Sequence, residues 1–423
     1  MPRTPTSTVH VLNEIDPLKV LMLWGEPGCE ALLGQLLPKP KSLFLSYYEV
    51  PQARQEFGRM QALIESEGVQ VVRAKDAFVE SLGKHPIPDL PANLGELEAR
   101  LLLKADEYFE TYHQAKVGEL MVDGAGTIVE EVYFEVKSDM RRVLQEDAER
   151  YGEAAAIKFN YLLCLAQALP VSNIFYSRDQ SSALGERILL SSLRWSIRKP
   201  EVQMYRRALL ELGYDHALTD GHDGTIEGGD IILFGDTCYI GVGARTSLSA
   251  AKSVCRKLGP DLASRGIQLV AVVNERHERE SVYLSAPTEE HMRIMHLDMF
   301  WIRLGPGLAM AYSPEVDSRR ALRLALNGDQ VISEDLGGFR GFLAGKGIQL
   351  IEVTAQEQGD YATNLLNLGN RRLIVSLSRN ERITAELERR GYRVLQAELN
   401  KLVGGYGAIH CLSAPLYRQN GAA

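Results

Sequence analysis

Phe234-Gly235-Asp236-Thr237-Cys238-Tyr239-Ile240 follows directly on Ile231-Ile232-Leu233, so a glycine and two turn residues separate two short β-rich runs. Apolar runs of this length on either side of a glycine turn read as a hairpin of two buried strands. The same arrangement occurs at Leu184-Gly185-Glu186-Arg187-Ile188-Leu189-Leu190, Leu304-Gly305-Pro306-Gly307-Leu308-Ala309-Met310 and Leu368-Gly369-Asn370-Arg371-Arg372-Leu373-Ile374. Helical patterns follow most of them, roughly over Glu201 to Leu212, Ser247 to Ser264, Ser318 to Leu326 and Asn380 to Arg390. Self-similarity at intervals of about 50 to 70 residues argues for radial repetition of a ββαβ unit.

Outward from these repeats, Leu18 to Trp24 reads as a buried strand stopped by Gly25-Glu26-Pro27-Gly28. A helix from about Pro51 to Glu67 follows, with Phe57, Met60, Leu63 and Ile64 on one face, and Val69 to Val72 returns as a strand. With this opening unit there are five blades, and the fold class is α/β, a five-bladed pseudo-symmetric propeller. Between Asp76 and Leu169 glycine is sparse and apolar residues recur at helical intervals. The expectation is one catalytic domain over 1–423 with a mainly helical subdomain inserted at 76–169. Gly124, Gly126 and the strand-like Val129 to Val136 interrupt that pattern and suggest a β-ribbon within it.

Composition narrows the function. Charged residues make up 24% of the 423 residues and the net charge is −8, so there is no basic face of the kind that binds nucleic acid. The five cysteines, Cys29, Cys164, Cys238, Cys255 and Cys411, show neither CxxC nor Cys/His ligand spacing, which argues against a disulfide framework and a zinc site. No run approaches the roughly 18 apolar residues of a membrane span, and the lead from Met1 to His10 is polar. A cytoplasmic protein is the expectation; whether it forms a homo-oligomer stays open.

Polar residues keep falling at the same end of the repeats. Asn173-Ile174-Phe175-Tyr176, read as a strand, ends in Ser177-Arg178-Asp179; Glu227-Gly228-Gly229-Asp230 and His296-Leu297-Asp298 each open a repeat; Gly404-Gly405-Tyr406-Gly407-Ala408-Ile409-His410-Cys411 closes the last. Paired glycines let a backbone approach a neighbour closely, and carboxylates at a strand mouth suit a cationic substrate. A thiol is nucleophilic as its thiolate, which a histidine or a cation favours, so Cys411 pairs naturally with His296 and its glycine-rich approach suits an exposed side chain. For Asp179 the plain alternative is a salt bridge to adjacent Arg178, and Cys164, Cys238 and Cys255 read as buried structural cysteines.

Tyr176-Ser177-Arg178-Asp179, Glu227-Gly228-Gly229-Asp230, Gly243-Ala244-Arg245-Thr246-Ser247, His296-Leu297-Asp298 and the Gly407 to Cys411 motif together resemble the guanidino-modifying enzymes of the pentein, or amidinotransferase, superfamily. Within it they most resemble the arginine deiminases, and the similarity extends from Glu14-Ile15-Asp16-Pro17-Leu18-Lys19 to Pro415. The resemblance implies a five-bladed α/β propeller with a helical insertion after the first blade, a small-molecule guanidino substrate, and no metal or organic cofactor. It implies Cys411 as nucleophile, His296 as general acid/base and Glu227 as the acid beside them. Asp179 and Asp298 would grip the guanidinium, with Arg198 and Arg245 at the amino-acid end of arginine.

The implied reaction is hydrolysis of arginine, or a close derivative, to citrulline and ammonia through a covalent thiouronium. The alternatives are transfer of the amidino group to an amine acceptor by an amidinotransferase and non-catalytic guanidine binding. The chain departs from the deiminase pattern at Tyr406, where an arginine is common, and at Ala414, where a cysteine often stands.

Overall fold

The computed structural model describes residues 8–114, 125–220, 222–281, 283–284, 287–376 and 380–421. Strands β1 (Leu18–Leu23) and β2 (Gln70–Arg73) run parallel, joined through the helix Val50–Ser66. The hairpin β3 (Ser181–Leu184) and β4 (Arg187–Leu190) is followed by the helix Lys199–Glu211 and by β5 (Leu218–Thr219), parallel to β4. The pattern recurs in β6 (Ile231–Phe234), β7 (Thr237–Val242), the helix Leu248–Ser264 and β8 (Gln268–Val273).

It recurs again in the hairpin β9 (Trp301–Gly305) and β10 (Leu308–Ala311). Here an antiparallel excursion, β11 (Arg320–Asn327) and β12 (Gln330–Gly338), comes before the helix Phe339–Gly345 and β13 (Gln349–Glu352), which is parallel to β10. The fourth hairpin is β14 (Leu366–Gly369) and β15 (Arg372–Ser376), then the helix Glu381–Arg389 and β16 (Arg393–Ala397). Finally β17 (Ala414–Arg418) lies antiparallel to β1, so the opening unit borrows its first strand from the far end of the chain. Five sheets thus share one order: a strand, its antiparallel partner, and a parallel strand reached through a helix.

Period-two patterning explains how these sheets are covered. In the β6-β7-β8 sheet, Ile231, Leu233, Cys238, Ile240, Leu269 and Ala271 meet Val254, Leu258 and Leu262 of the helix Leu248–Ser264. The alternate residues Ile232, Tyr239, Val270 and Val272 join Trp301 and Phe339 on the other face. Strands buried on both faces read as continuous apolar runs, and each such side chain contributes about 1.5 to 3 kcal/mol of transfer free energy. Ser247 caps the helix by accepting from the Ala250 N–H, fixing where the chain turns away from the sheet.

Three sequence expectations need correction. Residues 318–326 do not form a helix: Arg320–Asn327 is β11, held between β8 and β12. The overlooked signal is Gly328-Asp329, the two-residue loop between paired Asn327 and Gln330, with Gly328 at φ 61°. Asn173 to Tyr176 is a buried turn, because the Tyr176 hydroxyl donates to the Leu402 carbonyl at 2.5 Å and fixes it tertiarily. The expected β-ribbon is also absent where described: Val129 to Val136 lies in the helix Ala125–Tyr151, whose buried Val136, Met140, Val143 and Leu144 keep helical spacing. Gly124 lies outside the described residues. The helices Leu94–Gln114 and Glu153–Asn160 also fall within 76–169.

Candidate active site

The candidate side chains come from the residues just ahead of strands that are paired antiparallel. Asp179 sits in the turn Ser177–Gln180 before β3, Glu227 and Asp230 before β6, His296 and Asp298 before β9, and Cys411 before β17. Both glycines between Glu227 and Asp230 are sterically required. A Cβ on Gly228 would stand 1.9 Å from the Arg178 carbonyl oxygen, and one on Gly229 would stand 2.6 Å from His296 Nδ1. Asp230 Oδ1 then accepts from the Leu297 N–H at 3.0 Å, tying that turn to the His296 turn. Burial raises its carboxyl to about 7.

His296 Nε2 lies 2.8 Å from Glu227 Oε2, and His296 Nδ1 lies 3.6 Å from Asp179 Oδ1. Burial opposes charge on this imidazole, but Asp179, the Glu227 hydrogen bond and Asp230 outweigh it and raise its pKa to about 9. Glu227 moves the opposite way: burial would raise it, yet Arg245, His296 and Arg198 hold it well below the usual carboxylate range. The site therefore holds an imidazolium between carboxylates at neutral pH.

On the other side, Cys411 Sγ lies 3.8 Å from Asp298 Oδ2 and is not bonded to His296; the expected direct pair is two clusters facing each other through the acids. Nor is the thiol exposed, with only 4% of the residue accessible. Burial, Asp298 and Asp179 push its pKa well up, while a hydrogen bond from Asn364 pulls it down. Asp179 Oδ1 and Asp298 Oδ1 are buried acceptors with no hydrogen-bond donor among the described residues. Buried carboxylate oxygens are normally paired, so these two retain acceptor capacity that a donor could use.

Arg178 does not pair with Asp179; its Nη1 donates to Glu14 Oε1 at 3.0 Å. Asp179 is bridged instead by Arg198 at 2.6 Å. Arg198 also donates to Glu201 at 2.9 Å, and Arg245 reaches Glu227 at 3.2 Å. Both guanidiniums thus brace the site's acids, where the sequence resemblance expects them at the amino-acid end of the substrate. Asp179, Glu227 and His296 are close enough to share an ion, but these two arginines already supply positive charge there.

Two residues escaped the sequence reading. Asn364, two residues ahead of β14, occupies the matching place in the remaining hairpin and clamps the Cys411 loop. Its Oδ1 accepts from the N–H groups of Ala408, His410 and Cys411 at 3.2, 3.1 and 3.2 Å, and its Nδ2 lies 3.0 Å from Cys411 Sγ. His410, quoted in the motif but given no role, contacts Asp298 Oδ2 at 2.6 Å through Nδ1 and Glu14 Oε2 at 3.2 Å through Nε2. Glu14 would be raised by burial, but Arg178 and His410 bring it down to about 2. Its place just ahead of a strand, where the other candidate residues also lie, would have found Asn364. Asn364→Ala strands three buried donors and is expected to cost about 1 to 3 kcal/mol, read as a melting temperature several degrees lower. An unchanged melting curve would remove the clamp from the account.

A family model described as arginine deiminase matches residues 41–418. The arginine deiminase of Levilactobacillus brevis is 23% identical over 436 residues, covering 98% of this chain and all of that one (100%). That of Mycobacterium marinum is 24% identical over 433 residues, 96% of this chain and 97% of the relative. An uncharacterized Bacillus subtilis protein, YkgA, is 26% identical over 243 residues, 57% of this chain and 69% of its own length. Among solved structures, an amidinotransferase of Microseira wollei from saxitoxin biosynthesis aligns with TM-score 0.53 at 13% identity, covering 98% of this chain and 99% of its own. A dimethylarginine dimethylaminohydrolase of Pseudomonas aeruginosa in complex with citrulline aligns with TM-score 0.52 at 13% identity, covering 94% and 99%.

The fold they share is the mixed α/β pentein fold of guanidino-group enzymes. The chain belongs to the arginine deiminase family, hydrolases acting on C–N bonds of amidines. Among the described residues no helix is long and apolar enough to cross a membrane.

Proposed function

We propose that this protein hydrolyses the guanidino group of arginine, or of a close arginine derivative, to a ureido product and ammonia. The observation that carries the reading is the pair of buried oxygens, Asp179 Oδ1 and Asp298 Oδ1, that accept no hydrogen bond among the described residues and lie beside His296 and Cys411. A planar guanidinium bears five N–H donors and suits opposed carboxylates better than any other small cation. Its charge offsets that of the two acids that keep the Cys411 thiol protonated, so binding favours loss of the thiol proton to solvent.

The thiolate then attacks the guanidino carbon, forming a C–S bond. Protonated His296 gives its proton to the departing nitrogen, the C–N bond breaks and ammonia leaves. Neutral His296 takes a proton from water as the hydroxide adds to the thiouronium carbon. Collapse of that adduct expels the thiolate and releases the hydroxyl proton, leaving C=O. Glu227 keeps His296 oriented and favours its protonated form before the first step and after the second. Arg198 and Arg245 hold the acids in the free state, and would reach the amino-acid end of a substrate only by giving up those contacts.

In the same reading the five sheets are the blades of one propeller, 1–423 is one catalytic domain, and 76–169 is its helical insertion. Incubation with arginine, with and without a primary amine such as glycine, tests the reaction. Hydrolysis releases ammonia and citrulline irrespective of the amine; ornithine and an amidinated amine would establish transfer instead, and no product from any guanidine would leave only binding.

Tyr406 bears on substrate choice. It is half-buried at φ 68° between Gly405 and Gly407, in the segment that leads to Cys411. A phenol replaces one charge-assisted contact worth roughly 1.5 to 3 kcal/mol, so arginine should be bound weakly beside an arginine derivative with a modified α-group or nitrogen. Tyr406→Arg is expected to lower KM for arginine about tenfold or more. Wild-type selectivity for arginine over agmatine and N-substituted arginines, unimproved by the substitution, would count against it.

A further inference from the structure

Outside the catalytic cluster, His277, Glu280 and His291 gather on two short helices, Glu275–Ser281 and Glu289–Arg293, with ligand atoms all within 4.8 Å of one another. His277 and His291 are buried, at 1% and 4% accessible, while Glu280 reaches in from the surface. His291 Nε2 lies 3.5 Å from Glu280 Oε2, and His277 Nε2 lies 3.4 Å from Glu290 Oε1.

The His291 ring is oriented from its far side, whereas the partner of His277 sits on Nε2 itself. The Thr288 hydroxyl accepts the His291 backbone N–H at 3.2 Å and lies 3.0 Å from its Nδ1, a placement that accepts an Nδ1–H and leaves the Nε2 lone pair facing Glu280. That Nε2 is buried with no hydrogen-bond partner among the described residues. For His277, Arg276 Nη2 stands 2.7 Å from Nε2; a guanidinium can only donate, so this Nε2 also presents a lone pair. Two imidazole lone pairs therefore converge with the Glu280 carboxylate, the Glu290 carboxylate lies 3.4 Å from His277 Nε2, and the cations acting on His277 are buried Arg319 and exposed Arg276. Imidazole nitrogens together with a carboxylate are the donor set that holds zinc-like ions at about 2.0 to 2.2 Å, and the Thr288 contact at His291 Nδ1 is of the kind that orients such a ligand.

We propose that His277, His291 and Glu280, with Glu290 as the fourth ligand, form a binding site for a divalent transition metal of the zinc class. The ion displaces the Arg276 side chain and staples the two helices together. The stapled segment leads into the catalytic centre: Met292 Sδ lies 3.1 Å from Arg245 Nη2, and His296 follows four residues later. The site thus lets a metal set how firmly that flank of the centre is held.

The test is titration of the metal-stripped, full-length protein with Zn²⁺ against a chromophoric chelator, repeated with Co²⁺ for its visible spectrum. One equivalent is expected to bind, with Co²⁺ bands lacking thiolate charge transfer. Glu280→Gln, at an exposed position that leaves the fold alone, and His291→Asn should each weaken binding about tenfold or more. Arg276→Ala should strengthen it, and Cys411→Ser should leave it unchanged. Absence of binding at millimolar Zn²⁺, wild-type affinity in Glu280→Gln and His291→Asn, or loss of the ion in Cys411→Ser would each overturn the proposal.

Discussion

The Cys411→Ala protein is expected to fold and to bind substrate, and to release ammonia at least on the order of 10⁴-fold more slowly than the native enzyme. The magnitude follows from the proposed role: if Cys411 is the nucleophile of a covalent path, its removal takes away both steps and leaves only what binding and charge placement contribute. The fold should survive, because the three N–H groups of the loop still find Asn364 Oδ1, and only the Sγ contacts to Asn364 and Asp298 are lost. A near-native melting temperature beside a lost rate is therefore the expected result. Ammonia production at a comparable rate would show that water attacks directly.

Asp298→Asn should produce two effects of opposite sign in one protein. Guanidinium affinity should fall by about 2 to 5 kcal/mol, since one member of a buried charge pair is gone. The thiol should become easier to ionise: burial raises Cys411 first and Asp298 next, so a neutral amide lowers its pKa. The pH profile of iodoacetamide labelling at Cys411 should then move toward lower pH. Asp179→Asn should share the affinity loss, and should also lower the pKa of His296 from about 9, because Asp179 is the strongest of the groups raising it. The basic limb of kcat/KM, where His296 loses its proton, then shifts to lower pH. Unchanged affinity together with unmoved labelling in Asp298→Asn would mean that no guanidinium sits against this acid.

The four glycine hairpins were legible because a turn glycine between apolar runs is a local signal, and each proved to be an antiparallel pair. β11 was not, because Ala321 and Leu324, three apart, fit one face of a helix as well as the buried positions of a strand, and only pairing with β8 and β12 decides. In the site, acids, histidine and cysteine carry visible chemistry, and the structure gathers them. Asn364 carries none in isolation; its importance comes from three backbone donors that only the folded loop brings to it. The mutual bracing of Arg198 with Asp179 and Glu201 was equally hidden, since an arginine suits a substrate carboxylate and a protein carboxylate alike.

The pairing of β17 with β1 has a consequence for how the molecule comes into being. Glu14 meets His410 across 396 positions of chain, and β1 waits for a neighbour made after nearly all other strands. Emerging from the ribosome, the internal repeats can close their own hairpins while β1 and β2 stand with an open edge. Closing so long a loop adds entropy cost slowly with length, and non-local pairing of this kind slows folding. The Glu14–His410 contact beside Cys411 is therefore completed only when the two ends of the chain meet in one sheet.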